Sequence, residues 1–210
     1  MDNELEKRPV TLKTGGEHFS GIGKTLLDFW RWNGSDLASN TTRGLLAEFI
    51  VASALGIDPS IPREEWSAWD LTSPEEIRIE VKSAAYLQSW TQQKLSKIIF
   101  SIRPARAWDA TSGKMAQEPQ RSADAYVFCL LKHKDKETLN PLDLEQWEFY
   151  VISTAELNNY SRSSRSITLA SIQKLAQGIP FAQLHEAVVE KKKEGRETPL
   201  LSQFNQKVVG

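Results

Sequence analysis

"EIRIEVKSA", Glu76 to Ala84, is the stretch whose reading decides the fold. Ile77, Ile79 and Val81 alternate with Arg78, Glu80 and Lys82. That is the period of a strand with one apolar and one polar face. Glu80 and Lys82 then share the polar face, ~7 Å apart. An acid beside a lysine on a strand is most simply a solvated face. Whether it is more depends on what the flanking segments bring to it.

Upstream, "NTTRGLLAEFIVASALGID" predicts a helix from about residue 40, with Asn40, Thr41 and Thr42 as N-cap candidates and Gly56 as its stop. It is apolar nearly all round, so it is expected to be buried. Glu48 lies within it, and a buried carboxylate needs a partner, a metal or a proton. A structural partner such as Arg43 and a functional role are both open. Between helix and strand, "SAWDL" predicts a short strand ending near Asp70, which on its own reads as a turn residue.

Downstream, "KIIFSI" predicts a third strand stopped by Pro104, and residues 104–122 a long polar loop. "ADAYVFCLLK" is a continuous apolar run of strand length, the pattern of a central buried strand. "WEFYVIS" predicts the next strand, followed by a helical turn at "TAELNNY" with a Thr cap. "SITLASIQKLA" and "PFAQLHEAVVEKKKEG" carry helical periodicity. Nearer the N-terminus, residues 1 to about 20 read as a loose arm. "SGIGKTLLDFWRWNGSD" then reads as an aromatic-rich helix ended by Asn33-Gly34. The order of elements points to an α/β fold, a single central mixed β-sheet flanked by helices with C-terminal helices closing the chain.

Glu48, Asp70, Glu80 and Lys82 change meaning when taken together. One helix acid, an Asp on one strand and Glu-X-Lys on the next can converge as three carboxylates and an ammonium. Clustered carboxylates on rigid elements suit Mg²⁺, which takes oxygen ligands and keeps several waters. A lysine beside them can position or deprotonate a water.

The pattern E-(x)21-D-(x)9-E-V-K in a helix–strand–strand setting resembles the PD-(D/E)XK nuclease superfamily, the restriction-endonuclease-like fold, over roughly residues 40 to 152. Trp69 stands where the motif's name has Pro. The resemblance implies an αβββ nuclease-like core and a metal-dependent endonuclease that hydrolyses DNA phosphodiester bonds. It implies Asp70, Glu80 and the carbonyl of Val81 as metal ligands, with Glu48 completing the site and Lys82 orienting the attacking water. Mg²⁺ is the implied cofactor and Mn²⁺ a substitute. Arg103, Arg106 and Arg121 flank the long loop as candidate phosphate contacts, and Trp90 and Trp108 as candidate stacking residues. Double-strand cutters often use two sites, so a homodimer fits this reading. The alternative is a nucleic-acid-binding or protein-interaction module that keeps the fold without catalysis. On this reading residues 1–39 form an N-terminal arm and helix, 40–157 the nuclease-like core, and 158–210 a basic helical segment packed on it.

The chain of 210 residues carries a net charge of −1, which argues against coating nucleic acid by bulk charge. The distribution is uneven: residues 158–210 hold eight Lys or Arg against four Asp or Glu. Local docking on phosphates and a solvated helical face both suit that segment. The single cysteine, Cys129, lies in an apolar run and reads as a buried structural thiol in a reducing compartment. No apolar run approaches the ~18 residues of a membrane span, and the charged N-terminus lacks the core of a signal peptide. A cytoplasmic protein is expected. "GIGKT", Gly21 to Thr25, lacks the upstream glycine of a phosphate-binding loop, His18 standing there instead. Three scattered histidines and one cysteine give no zinc spacing, and no nucleophile-elbow sequence supports a Ser-His-Asp site.

Overall fold

The computed structural model describes residues 10–63, 67–106, 108–109, 114–160 and 165–197. The first nine residues of the expected arm, most of "SRSSRS" and the tail beyond 197 lie outside them. Helix α1, Leu26–Gly34, starts at a Thr25–Asp28 capping box and carries the expected aromatic residues, none of them buried. Helix α2, Asn40–Ala54, is capped by Ser39, whose side chain accepts from the Thr42 amide. The cap thus falls one residue before the three expected candidates. Gly56 follows the helix at φ 66°, a left-handed position that glycine adopts without a Cβ penalty.

The central sheet has the order β1–β2–β6–β7. Strand β1, Leu71–Thr72, pairs antiparallel with β2, Arg78–Ala85. Strand β6, Ala125–Leu131, is buried along its whole length, parallel to β2 and antiparallel to β7, Trp147–Ser153. That is the expected central mixed sheet, with the continuous apolar run in the middle and Cys129 buried within it. Its two faces carry separate cores. Ile77, Ile79 and Val81 pack with Ala47, Ile50 and Val51 of α2 on one face. Ala84, Tyr126 and Phe128 pack with Phe100 and Ile102 on the other.

Several expectations are corrected. "KIIFSI" contributes β3, Ile99–Ser101, but β3 lies outside the central sheet and pairs antiparallel with β8, Ser166–Thr168. The "SIT" piece that opens a helical pattern is therefore a strand, and helix α4 covers only Leu169–Leu175. The long loop holds a short antiparallel ladder, β4 (Trp108–Asp109) with β5 (Lys114–Met115). Helix α2 is not buried all round: Leu45 is 46% and Phe49 60% exposed. Helix α3, Thr154–Asn159, is capped by Ser153 rather than by the expected threonine. Helix α5, Leu184–Glu197, closes the described chain and sends Leu184 and Val188 into the α2-side core. No helix among the described residues is long and apolar enough to cross a membrane.

Candidate active site

Asp70 stands where β1 begins. Its amide donates to the Ile79 carbonyl (3.0 Å), and its Oδ2 accepts from the Val81 amide (2.7 Å). A carboxylate oxygen thus takes the place of the next ladder carbonyl along β2. In an extended strand the N–H and C=O of one residue face the same side, so the Val81 carbonyl faces this same edge. Alternation turns the Glu80 and Lys82 side chains to the sheet face of their cross-strand partners Tyr126 and Phe128, and Ile79 and Val81 to the α2 face. The Lys82 Nζ lies 2.5 Å from Glu80 Oε1, with the side chains 29% and 21% exposed.

Glu48 lies on the α2 side. Its partner is not Arg43 but Arg63, whose Nε lies 2.5 Å from Glu48 Oε2. Arg43 is buried and spends its donors elsewhere, on Ser83 Oγ, the Ala38 carbonyl, Asn40 Oδ1 and Gln88 Oε1. It ties α2 to β2 directly after Lys82. Arg63 is not legible in the sequence, because it sits in a proline-flanked connection with no periodicity.

Burial raises the proton affinity of the Glu80 carboxyl above its ordinary value. Lys82 opposes this, and the charges of Asp70 and Glu48 add to it. Glu48 is raised by burial too, opposed by Arg63 and reinforced by Asp70. The charges of Asp70 and Glu48 thus reach Glu80, and that of Asp70 reaches Glu48, across the edge of β2. Among the described residues, no group of three or more His, Cys, Asp or Glu stands close enough to hold a metal ion by itself.

Two cavities meet at Asp70. The first, about 350 Å³, is lined by Asp70 and Glu80 together with Arg103, Arg106, Arg121 and Tyr126. All three candidate phosphate contacts thus share a cavity with two of the acids. Arg121 is anchored on the Ile102 carbonyl (3.1 Å) and Asn158 Oδ1 (2.6 Å). Tyr126 is the cross-strand partner of Glu80, and its hydroxyl is pushed up to about 12, mainly by burial and then by the Glu80 charge. Sequence reasoning missed Tyr126 because the β2–β6 register is invisible in either strand alone. The second cavity, about 860 Å³, lies on the α2 side and is lined by Glu48, Arg63 and Asp70 among mostly apolar residues. Ser67, Trp69 and Asp70 line both. The four motif residues are therefore split. Asp70 and Glu80 share the first cavity, Glu48 lies in the second, and Lys82 lines neither while holding Glu80. Trp90 is exposed beyond the far end of β2, and the side chain of Trp108 lies outside the described part of the structure.

A family model described as bacteriophage T4 endonuclease IV matches residues 24–170, which include α1, α2 and every strand. No curated protein matches the chain.

Proposed function

Because the chain belongs to the bacteriophage T4 endonuclease IV family, we propose that it hydrolyses DNA phosphodiester bonds at Asp70 and Glu80 with a divalent cation. The observation that carries this reading is the first cavity, where two carboxylates face three arginines. Arginines neutralise and orient phosphate, and clustered carboxylates hold the hard cation that phosphate chemistry needs. The order α2, β1, β2 with Asp70, Glu80 and Lys82 along it supports placing the family within the PD-(D/E)XK superfamily.

Asp70, Glu80 and the Val81 carbonyl would hold Mg²⁺ or Mn²⁺, with Glu48 reaching in from α2. Bound there, the ion would supply Lewis acidity and a lowered water pKa. Lys82, two residues from Glu80 and paired with it, would act through its charge, orienting the attacking water from beside Glu80. Arg103, Arg106 and Arg121 hold the substrate's phosphates. One observation favours the rival, a nucleic-acid-binding module without catalysis: Glu48, Asp70 and Glu80 each already have a partner within the chain.

The test is incubation of purified protein with supercoiled, linear and single-stranded DNA in Mg²⁺, Mn²⁺ or EDTA. Cleavage that needs the ion and disappears in Glu80→Gln is expected. DNA binding without cleavage under every ion establishes the rival.

A further inference from the structure

Apart from Glu48 and Asp70, the lining of the cavity on the α2 side takes no part in the hydrolysis just described. At about 860 Å³ it is within the ~300–1,000 Å³ of small-molecule sites. Leu45, Phe49, Ile57 and Ile61 make much of its wall. Phe49 is 60% and Ile61 68% exposed. Contiguous apolar surface of this kind beside a site is characteristic of a binding surface. Its polar lining includes the Glu48–Arg63 pair and Asp70.

Continuity identifies the occupant. Trp69 and Asp70 line this cavity and the arginine-lined one alike. A phosphodiester held at Asp70 is covalently tied to a nucleoside on each side. The smaller cavity is walled by guanidinium groups, which suit phosphate. The larger one offers apolar and aromatic surface, which suits the face of a base. Trp69, at the junction, is already fixed: its Nε1 donates to Thr72 Oγ1 (2.8 Å), and the Arg78 guanidinium lies 5.3 Å from its ring centre. A wall ordered in advance costs little further entropy on binding.

We infer that this groove receives the base of a nucleotide flanking the bond to be cut, packed against Phe49 and Ile61. The inference rests on the nuclease reading above. It assigns Phe49 and Ile61 to substrate binding, apart from the acids that carry the chemistry.

The test maps the bond cut in a synthetic oligonucleotide, then places a single abasic site at each flanking position in turn. An abasic site at one flank should lower kcat/KM about tenfold or more, mostly through KM, the scale of losing one stacked base. Phe49→Ala, and separately Ile61→Ala, should lower it on the intact oligonucleotide while leaving the melting temperature nearly unchanged. In Phe49→Ala the same abasic site should cost little more, because both changes remove one contact. Full-rate cleavage with either flank abasic, or losses that multiply, overturns the base subsite and leaves the nuclease reading standing. A dimer that Phe49→Ala dissociates gives the groove to a second copy, and also overturns it. No cleavage by wild type with any divalent ion overturns the nuclease reading itself, and the subsite falls with it.

Discussion

Asp70 does two jobs that substitution can separate. One of its oxygens satisfies the Val81 amide at 2.7 Å, and its charge belongs to the acid cluster. Asp70→Asn keeps an acceptor for that amide and removes the charge. It should therefore fold with nearly wild-type stability and lose cleavage. Asp70→Ala removes both, leaving a backbone N–H at a buried residue unpaired, and should cost a further ~1–3 kcal/mol in denaturant unfolding. Equal stability of the two variants would show that the hydrogen bond carries no weight. Lys82 poses the complementary case. Its pair with Glu80 is partly exposed, so Lys82→Ala should shift stability by less than about 1 kcal/mol. On the proposed reading its loss should slow single-turnover cleavage on the order of a hundredfold. A variant that cuts as fast as wild type removes Lys82 from the mechanism.

Helix α3 shows how so short an element is held in place. It has six residues, too few to persist on propensity alone. Ser153 and Glu156 close a capping box on it, and Lys191 of α5 lies 3.1 Å from Glu156. Burial raises the Glu156 carboxyl. The Ser153 amide and hydroxyl and then Lys191 outweigh it, so the net shift is downward. A depressed folded pKa contributes stability above the ordinary glutamate value, about 4.3, that is lost as pH falls through the folded value. Glu156→Ala should thus destabilise by about 1 kcal/mol at pH 7, and by clearly less near pH 3, in urea melts at both. Elements with strong internal patterns are legible in the sequence: α2, the wholly buried β6, and β7 from Trp147 to Ser153. The misses have separate causes. "SIT" is three residues long and runs straight into α4, so its period is never displayed. Strand β3 is legible, but its partner β8 lies more than sixty residues on, and hydrophobicity does not encode a partner. The exposed Leu45 and Phe49 make α2 look buried all round because they line a groove.

At the scale of the molecule, segments distant in sequence bring like charges to one edge of the sheet. The acids themselves are legible, because Glu80 and Lys82 follow from alternation and Asp70 from its distance to them. Arg63, Tyr126 and the division into two cavities are not, since each depends on where chain segments far apart come together. The convergence has a thermodynamic consequence. Glu80 and Glu48 are both held above their ordinary proton affinity by burial, and Asp70 adds repulsion to each. An unfolded chain disperses these charges, so on the proposed reading a cation held at Asp70 and Glu80 binds the folded state preferentially. Mass action then stabilises the fold by about 2.7 kcal/mol at a hundred times the dissociation constant. For a chain of 210 residues that corresponds to a rise in melting temperature of roughly 5–10 °C. Mg²⁺ and Mn²⁺ should both produce the rise in thermal melts without DNA, and EDTA should reverse it. Glu80→Gln should abolish most of the gain, whereas Phe49→Ala should keep it, because Phe49 lies in the groove and contributes no oxygen ligand. A wild type indifferent to both ions, or a Glu80→Gln protein that gains as much as wild type, would remove the cation from these carboxylates. The melt reads the ion's contact with the folded chain directly, so it separates binding of the ion from cleavage of DNA.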